Sequence, residues 1–242
     1  MFGVQKCFLK WLLLAASVIA CGCTHTSVSS FSVKASEAPE VYGVNRSLED
    51  RTSTLRAYGS FKIDPKENLS ASGSYTDWVQ DSILKWKSYD VSGEYRMGGF
   101  EFTGGLEWYH KAKYALCGIG IAYNDGIAHH LTLGFNFSHF EFGTFIGLFH
   151  QISGSDFRTS LFFGGYGSVY VGDAFLAYSL SDYTPRVSSD GTSISVNDIT
   201  THYITLGYHI TKSFEVTAGA IGSNVGTQWH WAGSMGVGYY LF

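Results

Sequence analysis

Charge is the first shortage. Asp, Glu, Lys and Arg together make 15% of the 242 residues, where globular domains average roughly 25%. Positive charge is the scarcer sign, with 16 Lys and Arg against 20 Asp and Glu, so the chain lacks the basic footprint that a nucleic-acid partner requires. Long apolar runs are also missing. The longest, Trp11–Ala20, falls well short of the ~20 residues of a membrane-spanning helix, which excludes a helical membrane bundle. Proline occurs three times, so long strands can run without losing ladder hydrogen bonds. The four cysteines, Cys7, Cys21, Cys23 and Cys117, sit in contexts too different for a disulfide framework. What is abundant is glycine, at 29 residues, and aromatics, at 17%. Aromatic and branched residues at this density exclude disorder over most of the length. Mean hydropathy is nevertheless only +0.03. Such a chain is all-β, with half of its side chains meeting something other than water.

The first twenty residues are a secretory signal: Lys6 and Lys10 precede the apolar run WLLLAASVIA, and small residues follow it. The run ends Val18-Ile19-Ala20-Cys21, which resembles a bacterial lipobox. The resemblance implies cleavage after Ala20 and acylation of Cys21. Gly22 in place of aspartate implies, by the same resemblance, sorting to the outer membrane. Ordinary signal cleavage after Ala20 is the alternative reading. Loss of residues 1–20 removes Lys6 and Lys10, leaving 14 of the 16 basic residues against all 20 acidic ones. Residues 21–53, Ser/Thr-rich and without sustained period, read as a lipid-anchored flexible tether.

From residue 84 to 242 the pattern becomes alternation of period two, the mark of half-buried strands. Phe100, Phe102, Leu106 and Trp108 oppose Glu101, Thr103, Glu107 and Lys111. Leu131, Leu133, Phe135 and Phe137 oppose His130, Thr132, Asn136 and Ser138. Ten such segments are expected, at 86–97, 100–111, 114–124, 128–138, 140–151, 156–166, 168–181, 198–210, 213–221 and 229–242. Between residues 99 and 242 there are only five basic residues (Lys111, Lys113, Arg158, Arg186 and Lys212) and about twice as many acidic ones, too few for a sheet that faces water. Every second connection is very short, around Lys113, His139, Gly167 and Thr211-Lys212, and the others include the long stretch 181–196. Tight turns at one end and longer loops at the other suit a closed antiparallel up-and-down transmembrane β-barrel with periplasmic turns and extracellular loops.

The chain ends Tyr239-Tyr240-Leu241-Phe242. A terminal phenylalanine with an aromatic two places before it resembles the C-terminal signal of bacterial outer-membrane β-barrels, and that resemblance implies Tyr240 and Phe242 as an insertion signal read by outer-membrane assembly machinery. The more apolar face of the last segment is, however, the one holding Trp229, Trp231, Met235, Val237, Tyr239 and Leu241. Residues 54–83 hold a hairpin, or a short helix begun at Asp77. If the hairpin 54–76 joins the wall, the count rises from ten strands to twelve. Trp108, Trp229 and Trp231 are placed at the membrane interfaces.

Chemistry is sparse. On a strand, residues i and i+2 share a face, so His150 and Ser153 fall on opposite faces, and His130-Leu131-Thr132 has the spacing of a relay without a serine nucleophile. Ser138-His139-Phe140-Glu141 lies at a short turn. Strand phase puts His130 inside and His202 outside, against a metal site built from the rim histidines. No catalytic residue, metal or cofactor is assigned. The reading is therefore an outer-membrane barrel lipoprotein with a structural or surface-interaction role and membrane lipid as partner. A narrow channel, an outer-membrane lipid hydrolase or protease, and a soluble lipocalin-like ligand carrier are its rivals.

Overall fold

The computed structural model describes residues 23–34, 40–43, 51–78, 86–153, 156–189, 192–195 and 197–241. Thirteen strands run in chain order: β1 (Cys23–Lys34), β2 (Ser53–Trp78), β3 (Trp86–Ala112), β4 (Ala115–Tyr123), β5 (Gly126–Asn136), β6 (Phe140–Ser153), β7 (Asp156–Val171), β8 (Ala174–Tyr183), β9 (Arg186–Ser189), β10 (Thr192–Ser195), β11 (Ile199–Thr211), β12 (Phe214–Val225) and β13 (Gln228–Leu241). Ten of them, β2 to β8 and β11 to β13, pair antiparallel with their neighbours, and β13 closes on β2 through the register Leu241↔Leu55 to Gly233↔Ile63. The ten-stranded wall has no open edge, so every wall strand has partners on both sides.

Closure follows from the alternation, which the burial pattern reproduces. β4 alternates exposed and buried from end to end, and so does most of β5. The inside takes small and polar groups such as Ala122, Thr132, Asn136, Ser179 and Thr201, while Phe102, Leu131, Leu133, Phe142, Leu206 and Met235 point out. Leu133 is 66% exposed and Met235 70% exposed. This is a soluble protein turned inside out. Ten strands exceed the eight whose side chains just fill a barrel, and the surplus space is occupied from within the chain.

The ten wall strands are not quite the ten expected. Segments 86–97 and 100–111 are the two halves of one 27-residue strand, β3, joined through Gly98 and Gly99. Residues 54–76 form neither a hairpin nor, with 77–78, the start of a helix; they lie in the single 26-residue strand β2, paired with β3 from Ser53↔His110 to Trp78↔Trp86. The turn expected near Gly167 lies at Gly172-Asp173, because inward Tyr166, Ser168 and Tyr170 carry the alternation past it. Asp173 therefore sits in that turn rather than on a strand. Gly172 takes the left-handed φ of +61° that the turn demands. The stretch 222–228 shortens to the two-residue turn Gly226-Thr227.

β2 and β3 outrun the barrel at the loop end. Their register slips between Asp64 and Glu67, around Pro65, a residue that cannot donate to the ladder. Opposite lie Gly98 and Gly99, with φ of +96° and +118°, and a Cβ on Gly98 would collide with the Pro65 carbonyl. The ladder bends here. Beyond the bend, Ser72 N–H donates to Asn197 Oδ1 at 2.6 Å, and Asn197 N–H donates back to the Ser72 carbonyl at 3.1 Å. Ser70 N–H reaches Gln228 Oε1 at 2.8 Å. Asn197 precedes β11, three strands from β2 around the wall, so the extension folds across the mouth as a flap. β1 lies along it, parallel to β3, and the connection after β8 carries the small hairpin β9–β10.

Candidate functional site

The lumen has two halves. In the turn-side half, Arg56 of β2 is 1% exposed. Its guanidinium donates to Glu107 Oε2 of β3 at 2.9 Å and to Glu215 Oε1 of β12 at 2.8 Å. Tyr240 OH of β13 donates to Glu215 Oε2 at 2.7 Å. The guanidinium also lies over the Tyr42 ring at 4.0 Å and the Tyr58 ring at 4.8 Å, within cation–π range. His130 Nε2 stands 3.5 Å from Glu107, and His209 Nε2 stands 3.8 Å from Glu215. On the opposite wall Glu141 accepts from Asn136 Nδ2 at 2.5 Å and Tyr166 OH at 3.0 Å. Glycine makes room for these groups: a Cβ on Gly120 would overlap the His130 ring. Buried charges persist only when paired and hydrogen-bonded, and one arginine here serves two carboxylates.

The loop-side half is mainly aromatic and aliphatic. Phe145, Phe149, Phe162, Tyr183, Ile199 and Val225 line it, and Leu69, Ala71, Tyr95 and Met97 of the flap pack into the same cluster. The flap's apolar face thus caps the mouth. Beneath the bend, Lys62 pairs with Glu101 at 2.8 Å and Asp64 at 3.4 Å, and His230 holds Asp64 at 2.7 Å and Glu67 at 2.9 Å.

A third component crosses both halves. Residues 40–43 lie inside the barrel, with Val41 0% and Tyr42 5% exposed. Val41 belongs to the loop-side cluster, and Tyr42 packs with Tyr170, Phe175 and Ala177 on the turn side. Tyr42 OH donates to Glu215 Oε1 at 2.9 Å and accepts from Arg56. Thr205 OH donates to Glu40, and Gly43 N–H donates to Ser168 Oγ at 3.3 Å. A flexible tether was expected over 21–53, but Cys23–Lys34 form the strand β1 paired with β3, and these four residues depart from it as well. They are a plug, held because an aromatic-lined, hydrogen-bonding lumen buries Val41 and Tyr42 more completely than water does.

Trp108, Trp229 and Trp231 face outward, 40%, 46% and 56% exposed. Tyr240 points inward, and no bulge interrupts the β12–β13 register to turn it out. Cys21 and Phe242 lie outside the described residues. His130 is inside, as its phase requires. His150 bonds Thr159 Oγ1 at 2.8 Å and lies 4.8 Å from His129, ring to ring. Ser138 Oγ meets His139 Nδ1 at 2.8 Å, yet Glu141 turns into the lumen, so the three do not form a relay. Among the described residues, no three His, Cys, Asp or Glu side chains are arranged to hold a metal ion, and no helix is long and apolar enough to cross a membrane. Sequence reasoning missed the plug and the clustering of Asp64, Glu67 and His230. The Val41-Tyr42 pair, apolar within a Ser/Thr-rich stretch, was the available signal.

No family model and no curated protein matches the sequence. Solved structures similar to it include the NanC porin, at 11% identity over 77% of this chain and 100% of that one, TM-score 0.45. The outer-membrane protease OmpT of Escherichia coli is similar at 10% identity over 78% and 97%, TM-score 0.35. The attachment invasion locus protein Ail of Yersinia pestis follows at 13% over 78% and 99%, TM-score 0.26. The barrel itself rests on the strand pairing of this chain.

Proposed function

We propose that this chain is a bacterial outer-membrane β-barrel lipoprotein with a filled lumen and a non-catalytic role, working through the surface at its loop end. The inversion of the wall carries the reading: apolar side chains point outward all round a closed sheet while Arg56, Lys62, Glu107 and Glu215 are buried within. A soluble lipocalin-like barrel would pay for that outer face in water, whereas hydrocarbon favours it and tolerates only a sheet without edges. The plug and the flap oppose the narrow-channel reading. The lumen carboxylates Glu107, Glu215 and Glu141 are engaged by Arg56, tyrosines and Asn136, which speaks against a hydrolase built on them. Acylation at Cys21 is supported by the Val18–Cys21 motif. Anchoring would then join lipid contact along the wall.

The test is a gel of unheated and boiled outer-membrane fractions, with palmitate labelling of the wild type and of Cys21→Ala. A band that migrates faster unheated, and loses its label in the variant, is the expected result. A soluble band that does not shift on boiling would sink the membrane reading; a shifting band without label would sink only the lipoprotein part.

A further inference from the structure

The described segments fix the route of the N-terminal chain. β1 pairs with the flap part of β3, from Cys23↔Trp86 to Lys34↔Arg96, and runs parallel to it. Since β3 descends from the flap tip into the barrel, β1 descends too, and Lys34 ends beside the bend at Gly98. Residues 40–43 come next, inside the lumen, with Val41 among the loop-side side chains and Tyr42 among the turn-side ones. At the turn end the Thr52 carbonyl accepts from Lys111 N–H at 2.7 Å, and Ser53 opens β2, which climbs back up the wall. The 19 steps from Lys34 to Ser53 reach at most roughly 60 Å. That is ample for the β2 wall from Ser53 to Asp64, which rises about 37 Å at strand spacing.

The wall is hydrogen-bonded around its whole circumference, and a segment enclosed by it cannot leave sideways. We infer that the barrel is threaded by its own N-terminal chain and so delivers that chain, from β1 backwards, to the loop-side surface. The ends of the chain are thereby separated: the N-terminal strand lies on the face of the 184–198 connection, and the C-terminal strand finishes at the turns. On the outer-membrane reading, on which this part rests, β1 stands at the cell surface. Cys21 is two residues from β1, within ~7 Å of chain, so its acyl chains enter the loop-side leaflet rather than the turn-side one.

The experiment places single cysteines in the full chain carrying Cys21→Ala, Cys23→Ser and Cys117→Ser, so that residues 21–242 keep no native thiol. Ser29→Cys reports on β1, Ser188→Cys on the loop-side connection and Lys113→Cys on a turn. Intact cells receive a membrane-impermeant maleimide. Positions 29 and 188 are expected to label alike on intact cells, and position 113 only after the cells are opened. Labelling of 29 with the pattern of 113 overturns the inference. A second arm needs no cells: Glu40→Cys with Thr205→Cys, joined in the purified folded protein by a short bifunctional thiosulfonate. A cross-linked, still heat-shifting band supports threading even where 188 fails to label intact cells, an outcome that would sink the membrane reading alone. Absence of the cross-link in folded protein overturns threading.

Discussion

The two halves of the lumen solve one problem by opposite means. Both must fill a ten-stranded barrel that is wider than its own wall side chains need. The loop-side half does it mainly with aromatic and aliphatic groups and a flap bent over the mouth, its buried charge confined to the Lys62, Glu101, Asp64 and His230 cluster beneath the bend. The turn-side half does it with one buried arginine, two carboxylates that it pairs, tyrosines that share those carboxylates, and Tyr42 of the plug. The apolar half relies on packing and tolerates small changes in volume. In the polar half each group exists to satisfy another, so removal of one partner strands the rest.

That contrast is open to attack, most strongly at Arg56. Arg56→Met leaves Glu107 and Glu215 without their cation and is expected to cost about 3–5 kcal/mol, read as urea unfolding in detergent micelles by tryptophan fluorescence. Glu215→Gln is expected to cost more than Glu107→Gln, because Glu215 accepts from Arg56, Tyr42 and Tyr240 together. Equal costs would mean that the network does not centre on Glu215. On the outer wall Leu133 is exposed, and on the proposed membrane placement Leu133→Arg puts a charge among lipid tails, expected to cost about 2–4 kcal/mol in the same assay in lipid vesicles. A smaller effect is expected at the flap. Leu69→Ala removes a capping contact, and it should raise protease cleavage within 64–98 while leaving the heat shift of the barrel unchanged. The smallest signal is electrical. Val41→Gly with Tyr42→Gly loosens the plug, and the acid excess of Glu40, Glu107, Glu141 and Glu215 over Arg56 should make any leak in planar bilayers cation-selective. A leak of anion selectivity would contradict the charge assignment.

Much of this was legible in the residues. The opposition of Leu131, Leu133 and Phe135 to His130, Thr132 and Asn136 told which side faces out, because period two admits only two faces. The inward small residues Gly118, Gly120 and Ala122 followed from the same phase. What alternation cannot show is whether two segments continue or turn. Gly98-Gly99 looks like a hairpin turn in one dimension, yet the pairing of β3 with β2 carries straight past it. The site at the bend depends on that continuation, since Asp64 and Glu67 meet His230 only where the ladder slips. The plug was least legible of all. A four-residue insertion into a lumen has no period of its own, and what holds it is contributed by β2, β7, β11 and β12 together. Tyr240 shows the converse: local resemblance to an insertion signal suggests outward, while its bond to Glu215 and the unbroken register hold it inward.

The plug fills the lumen, and hydrogen-exchange mass spectrometry on the whole folded chain in micelles tests this without altering a residue. Exchange in the peptide that contains Glu40–Gly43 is expected to be slowed by orders of magnitude relative to a free peptide, alongside β12 and β13, because these amides lie out of contact with water. Complete exchange at the earliest time point, while the wall strands stay protected, would mean that the segment is a free tether and the lumen is not filled by it.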